Sequence, residues 1–174
     1  MIREPDKLQR YTVGILVNNE PGVLSRVSGL FFRRGFNIES LAVGPTQDPL
    51  ISRITIVIIG DDAHVEQLVQ QLYKLICVRK VQVFNPKETV EKKLVLIKVA
   101  AGIKERESVL KLIDIFKAKV LDVTKETISL QITGDLEKVN AMVELLEDYG
   151  ILELVQTGMV AIERGEKIMN ADLY

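Results

Sequence analysis

The stretch Tyr11-Thr12-Val13-Gly14-Ile15-Leu16-Val17-Asn18-Asn19-Glu20-Pro21-Gly22-Val23-Leu24 decides how this chain is read, because it changes period partway through. Tyr11, Val13, Ile15 and Val17 alternate with a period of two, which predicts a strand over 11–17. After the Pro21-Gly22 turn, Leu24, Val27, Leu30 and Phe31 recur at helical spacing, and Gly35 supplies the stop. A strand therefore runs through a tight turn into an amphipathic helix.

Working outward, residues 36–43 read as a second strand, and Gly44-Pro45-Thr46-Gln47-Asp48-Pro49 is a dense turn signal before a β-branched strand over 51–59. Gly60-Asp61-Asp62 offers a helix N-cap, after which Val65, Leu68, Val69, Leu72 and Ile76 share a face and residues 78–84 return to strand. The order over 11–84 is βαββαβ. Residues 85–93 are polar, contain Pro86 and predict a linker, with the first domain assigned to 1–84, its first ten residues an N-terminal extension. Beyond the linker, 94–174 repeats the order. A strand at 94–100, a helix at 105–117 and a hairpin of 119–123 with 127–133 precede a helix capped at Gly134-Asp135 and one long strand at 151–162. The junctions Ile59-Gly60-Asp61 and Thr133-Gly134-Asp135 fall at the same place in each copy.

Such an order closes into a four-stranded antiparallel sheet with both helices on one face, so the expected class is α+β with two tandem ferredoxin-like domains. The opposite sheet face must be buried by something, since the strand at 51–59 is apolar on both sides. Another copy of the sheet or a second domain is the expected cover, and a homodimer or higher assembly the expected state.

Composition excludes more than it selects. Twenty-three Lys and Arg against 24 Asp and Glu leave a net charge of -1, and residues 51–59 carry no aromatic, which argues against a nucleic-acid partner. No apolar run reaches the roughly 20 residues of a membrane span, and no signal-peptide pattern opens the chain. The single cysteine, Cys77, cannot make an internal disulfide or a thiolate metal site; it reads as a buried small hydrophobe, consistent with a reducing cytoplasm. His64, the only histidine, reads as a solvated helix-start residue. No nucleophile-base arrangement, phosphate-binding glycine loop or dinucleotide fingerprint is present, so catalysis within this chain is not expected.

What remains is the first turn. Main-chain N–H groups at a helix N-terminus attract a carboxylate, Gly22 lets it approach the backbone, and the uncharged amides Asn19 and Asn37 can orient an ammonium group. A zwitterion can be buried there because both charges are met without stranding a charge in the empty site. The chemistry fits a sensor of a free amino acid.

The turn, with Leu24-Ser25-Arg26-Val27, Arg34-Gly35-Phe36-Asn37-Ile38-Glu39-Ser40-Leu41, Pro45-Thr46-Gln47-Asp48-Pro49 and Ser52-Arg53-Ile54-Thr55, resembles the ACT domain of the acetolactate synthase small regulatory subunits. Leu96-Ile97-Lys98-Val99, Leu121-Asp122-Val123-Thr124 and Arg164-Gly165-Glu166-Lys167-Ile168-Met169 extend the likeness to the two-domain form of that family. The resemblance implies a non-catalytic chain that binds the acetolactate synthase catalytic (large) subunit, raises its activity and confers feedback inhibition by valine in branched-chain amino-acid synthesis. Thiamine diphosphate, magnesium and FAD are implied on that separate subunit, with no cofactor or metal here.

Carried over by motif, Asn19 and Asn37 bind the polar end of the effector, the Pro21-Gly22 turn with Val23 and Leu24 presents N–H groups to its carboxylate, and Ile38 receives its side chain. One copy of the module gives the helix turn and the other its strand edge. The turn Gly44, Pro45, Thr46, Gln47, Asp48, Pro49 is the candidate for transmission or partner contact. In the second domain Ala101-Gly102-Ile103-Lys104-Glu105-Arg106 has no paired amide and no proline, so no amino-acid site is expected there. Its role is dimer formation, contact with the catalytic subunit or relay of the signal. The alternative overall reading is a stand-alone ACT-repeat sensor acting on another partner.

Overall fold

The computed structural model describes residues 8–170. Residues 1–7 of the N-terminal extension expected over 1–10, and the last four residues assigned to the second domain, lie outside them; Gln9 and Arg10, expected in that extension, are already strand. Two compact units form: one from the residues up to Val90 together with the segment from Gly158 onward, the other Glu91–Thr157.

In the first unit, β1 (Gln9–Asn18), α1 (Val23–Arg33), β2 (Ile38–Pro45), β3 (Ile51–Gly60), α2 (Asp62–Leu72) and β4 (Val78–Val83) follow in order. The strands lie β2-β3-β1-β4, all antiparallel, with β1 and β3 central because they carry the most continuous apolar runs. Val13, Ile15, Val17, Ile54, Ile56 and Ile58 point to the helix side and meet Val27, Phe31, Leu68 and Leu72 in one core. The inward stripe of α1 starts at Val23, not Leu24, which is 39% exposed. Likewise α2 stops at Leu72, and Ile76, expected on its inward face, is 97% exposed.

The second unit repeats the plan with β5 (Thr89–Ala100), α3 (Arg106–Ile115), β6 (Lys119–Val123), β7 (Thr127–Gly134), α4 (Leu136–Glu147) and β8 (Ile151–Gln156), in strand order β6-β7-β5-β8. Its core joins Val95, Ile97, Val99, Ile128, Leu130 and Ile132 to Val109, Ile113, Val139, Met142 and Leu146. Both α2 and α4 are capped as their junctions predict: Asp61 accepts from the His64 amide and Asp135 from the Lys138 amide. The fold is two tandem ferredoxin-like domains.

Two expectations need correction. Over 85–93 only Pro86–Glu88 forms a short 3-10 turn, and β5 already begins at Thr89, so most of the expected linker is strand. At the other end, the single strand expected over 151–162 breaks into β8 and β9 (Val160–Glu163). The chain from Gly158 onward belongs to the first unit, not the second. There it covers the face opposite the helices: Met159 and Ala161 are buried, as are Thr12, Leu16, Thr55, Val57 and Phe84. A β-carbon on Gly14 would stand 2.7 Å from the Phe84 ring and 3.1 Å from the Met169 sulfur, so the bare glycine makes room for both. This face is thus buried by the chain's own tail, where another copy of the sheet or a second domain was expected. The corresponding face of the second unit stays open, with Leu121 and Val155 more than half exposed beside Leu96.

Candidate functional site

The turn between β1 and α1 has the form its sequence predicts. Gly22 sits at the N-cap in the left-handed region, φ 81°, which a side chain would strain, and no side chain caps the helix. The first-turn N–H groups at Val23, Leu24 and Ser25 therefore face outward without a side-chain acceptor, with Val23 making only a long 3.4 Å contact to the Glu20 carbonyl. No acidic residue occupies this first helical turn, and the nearby Glu20 carboxylate accepts from Asn18. Val23 itself is buried, which leaves its main chain but not its side chain to a ligand.

Asn19 is exposed but not loose. Its Nδ2 donates to the Pro49 carbonyl at 2.9 Å, its Oδ1 accepts from Ser52 Oγ at 3.0 Å, and its backbone N–H donates to the Leu50 carbonyl at 2.8 Å. The turn before α1 is in this way fastened to the hairpin turn over 44–50. That hairpin is ordered by its own side chains: Thr46 Oγ1 bonds both the Asp48 carbonyl and amide, and Asp48 Oδ1 accepts from the Leu50 amide. Next to Asn19, Asn18 bridges Glu20 and Arg79, with the Arg79 Nε at 2.6 Å from its Oδ1.

Asn37 and Ile38 lie elsewhere. Asn18 pairs with Ile51 across β1 and β3, whereas Ile38 pairs with Ile58 across β2 and β3. Seven strand residues separate those levels, about 23 Å at the usual rise. Asn37 is exposed at the far end of the sheet, and Ile38 is half-buried against the core. Within one chain the structure brings together Asn19, Pro21, Gly22, Val23 and Leu24 with the hairpin from Gly44 to Pro49, but not Asn19 with Asn37.

The equivalent turn of the second unit keeps one element of this arrangement and replaces another. Ala101 N–H donates to the Glu126 carbonyl at 2.8 Å, the counterpart of Asn19 to Leu50. Arg106 takes the place of the carboxamide, its Nη2 reaching the Thr124 and Lys125 carbonyls at 2.6 Å each and the Ala101 carbonyl at 3.3 Å. His64 is mostly exposed and bonds Asp61 through both its amide and its ring. Those bonds, the amide foremost, hold the Asp61 carboxyl below the ordinary carboxylate range. The histidine stabilises a helix start.

A family model described as the AHAS small subunit-like ACT domain matches residues 13–80, and one described as the small subunit of acetolactate synthase matches 92–165. A probable acetolactate synthase small subunit of Archaeoglobus fulgidus is 48% identical over 91% of this chain and 99% of its own length. The chain belongs to the acetolactate synthase small-subunit family. A Mycolicibacterium smegmatis member is 44% identical, covering 92% of this chain and 95% of itself. The crystal structure of the acetolactate synthase small subunit from Thermotoga maritima superposes with a TM-score of 0.86 at 39% identity, covering 91% and 99%.

In this family member, one residue that shapes the turn of each unit was not legible in the sequence. Ser52 looks like any strand serine, and only the register that sets β3 beside the turn gives it a partner. Arg106 has its Nε buried and its Nη2 spanning three carbonyls, contacts with residues that the sequence does not place beside it.

Proposed function

We propose that this chain is the regulatory subunit of acetolactate synthase in branched-chain amino-acid synthesis: it binds the separate catalytic subunit, raises its activity and makes it sensitive to valine. The chemistry itself, with thiamine diphosphate, magnesium and FAD, belongs to that partner. The effector is held by Asn19, the main chain of the Pro21-Gly22 turn with Val23 and Leu24, Asn37 and Ile38.

What supports the reading is the uncapped N-terminus of α1 joined to a fixed carboxamide, at one end of a sheet whose edge strand β2 is preceded by the second amide, Asn37, at the other end. Two copies pairing β2 to β2 antiparallel reverse the strand direction. Asn37 of one copy then falls at the end where Asn19 of the other stands, and the roughly 23 Å gap within a chain closes between chains. The tail over the opposite face favours edge pairing over stacking of sheets. A ligand held by two copies shifts activity only by favouring one arrangement of the assembly.

Calorimetric titration of the purified chain with valine, leucine and isoleucine, alone and with the catalytic subunit, tests this. Valine is expected to bind at one equivalent site per turn and to inhibit the mixed enzyme. Binding without any effect on the catalytic subunit would favour a stand-alone sensor, and absence of binding would remove the effector site.

A further inference from the structure

We propose that Ser52 is a positioning residue for the effector: with the Pro49 carbonyl it aims the Asn19 carboxamide and ties ligand occupancy to the β2–β3 hairpin. The inference rests on the effector reading above and assigns a role to a residue outside the ligand-binding set.

A carboxamide has two N–H donors and two acceptor lone pairs. In Asn19 one donor goes to Pro49 and one lone pair receives the Ser52 hydroxyl. The Pro49 carbonyl can only accept, so the nitrogen faces it and the oxygen faces Ser52. Chemistry dictates this orientation. One N–H and one lone pair remain, the complement of a carboxylate and an ammonium group.

The clamp holds because its base is rigid. Ser52 is buried at 8% exposure in β3, paired opposite Val17 on one side and Pro45 on the other, while Asn19 stands on an exposed loop where an untethered carboxamide would rotate. The second unit separates the fold's need from the site's. It keeps the main-chain bond, Ala101 to Glu126, and has an arginine where the carboxamide clamp would be. The main-chain bond closes the turn in both units. The set of Asn19, Ser52 and Pro49 is an addition that the fold does without in its other copy.

Because Asn19 bonds Pro49 with its side chain and Leu50 with its main chain, a ligand that draws on its free N–H also tightens the hairpin turn. L-Valine titrated into the wild-type chain, Ser52→Ala and Ser52→Thr tests the clamp. Ser52→Ala is expected to bind about tenfold more weakly with little change in thermal midpoint, and Ser52→Thr, whose hydroxyl still donates, within about threefold of wild type. In the wild-type chain valine is expected to slow hydrogen exchange of the amides over 46–51. Wild-type affinity in Ser52→Ala overturns the inference, as does equal weakening by both variants or exchange that valine leaves unchanged, and each leaves the effector site standing. No valine binding by the wild-type chain overturns both.

Discussion

Gly158 crosses Leu41 so closely that a β-carbon on Gly158 would stand 2.1 Å from the Leu41 carbonyl oxygen. One residue on, the Met159 amide donates to Ser40 Oγ at 2.7 Å, and the Ala161 carbonyl accepts from Arg53 at 2.5 Å. Arg164 N–H and Lys167 Nζ then both meet Glu88, at 2.7 Å each. The returning tail is thus anchored to β2 at Ser40, to β3 at Arg53 and to Glu88 beyond β4.

Gly158→Ala therefore cannot keep this path. The tail must lift or β2 must shift, at a cost of about 1 to 3 kcal/mol. The expected result is a lower thermal midpoint with faster hydrogen exchange over 158–170, while exchange in the core of the second unit is unchanged.

Asn19→Ala removes two side-chain hydrogen bonds at an exposed turn, worth about 1 kcal/mol together once water replaces them. The fold is expected to persist and the valine response to vanish. Normal valine inhibition by this variant would mean the pocket lies elsewhere.

Removing several residues from the hairpin turn over 44–50 tests its part in transmission. Activation or inhibition of the catalytic subunit should weaken while calorimetric valine binding stays measurable; regulation that survives intact argues for another route.

Arg106→Ala leaves the Thr124 and Lys125 carbonyls to water and should destabilise the second unit by about 1 to 2 kcal/mol. Valine affinity should not change. A loss of valine binding in this variant would place the effector in the second unit.

Acid should unfold the chain partly through its helix caps. The Lys138 amide, then Lys92, hold the Asp135 carboxyl below its ordinary 3.8, and the His64 amide does the same for Asp61. Groups with depressed folded values contribute stability that is full above the unfolded value and lost as pH falls through the folded one. The thermal midpoint should drop below about pH 4. Asp135→Asn, which caps without titrating, should flatten part of that drop, and Asp135→Ala should cost about 1 kcal/mol at neutral pH.

Much of this was legible because it is local. Alternation at Tyr11, Val13, Ile15 and Val17, glycine at the αL cap of α1, and Asp61 and Asp135 before their helices act through bonds within a few residues, so the residue types alone announce them. Ends were less legible. Leu72 closes α2 and leaves Ile76 exposed because a periodic pattern continues on paper after the chain has turned toward β4.

Residue order alone specified two βαββαβ units and the glycine turn at Gly22, since each follows from side-chain period and backbone preference. Long-range packing settles that the tail buries the outer face of the first sheet, that Ser52 meets Asn19, and that Asn37 stands a sheet's length away. Those are contacts between residues far apart in the chain. Periodicity tells which face a residue shows, but it carries no information about which distant group will come to rest against it.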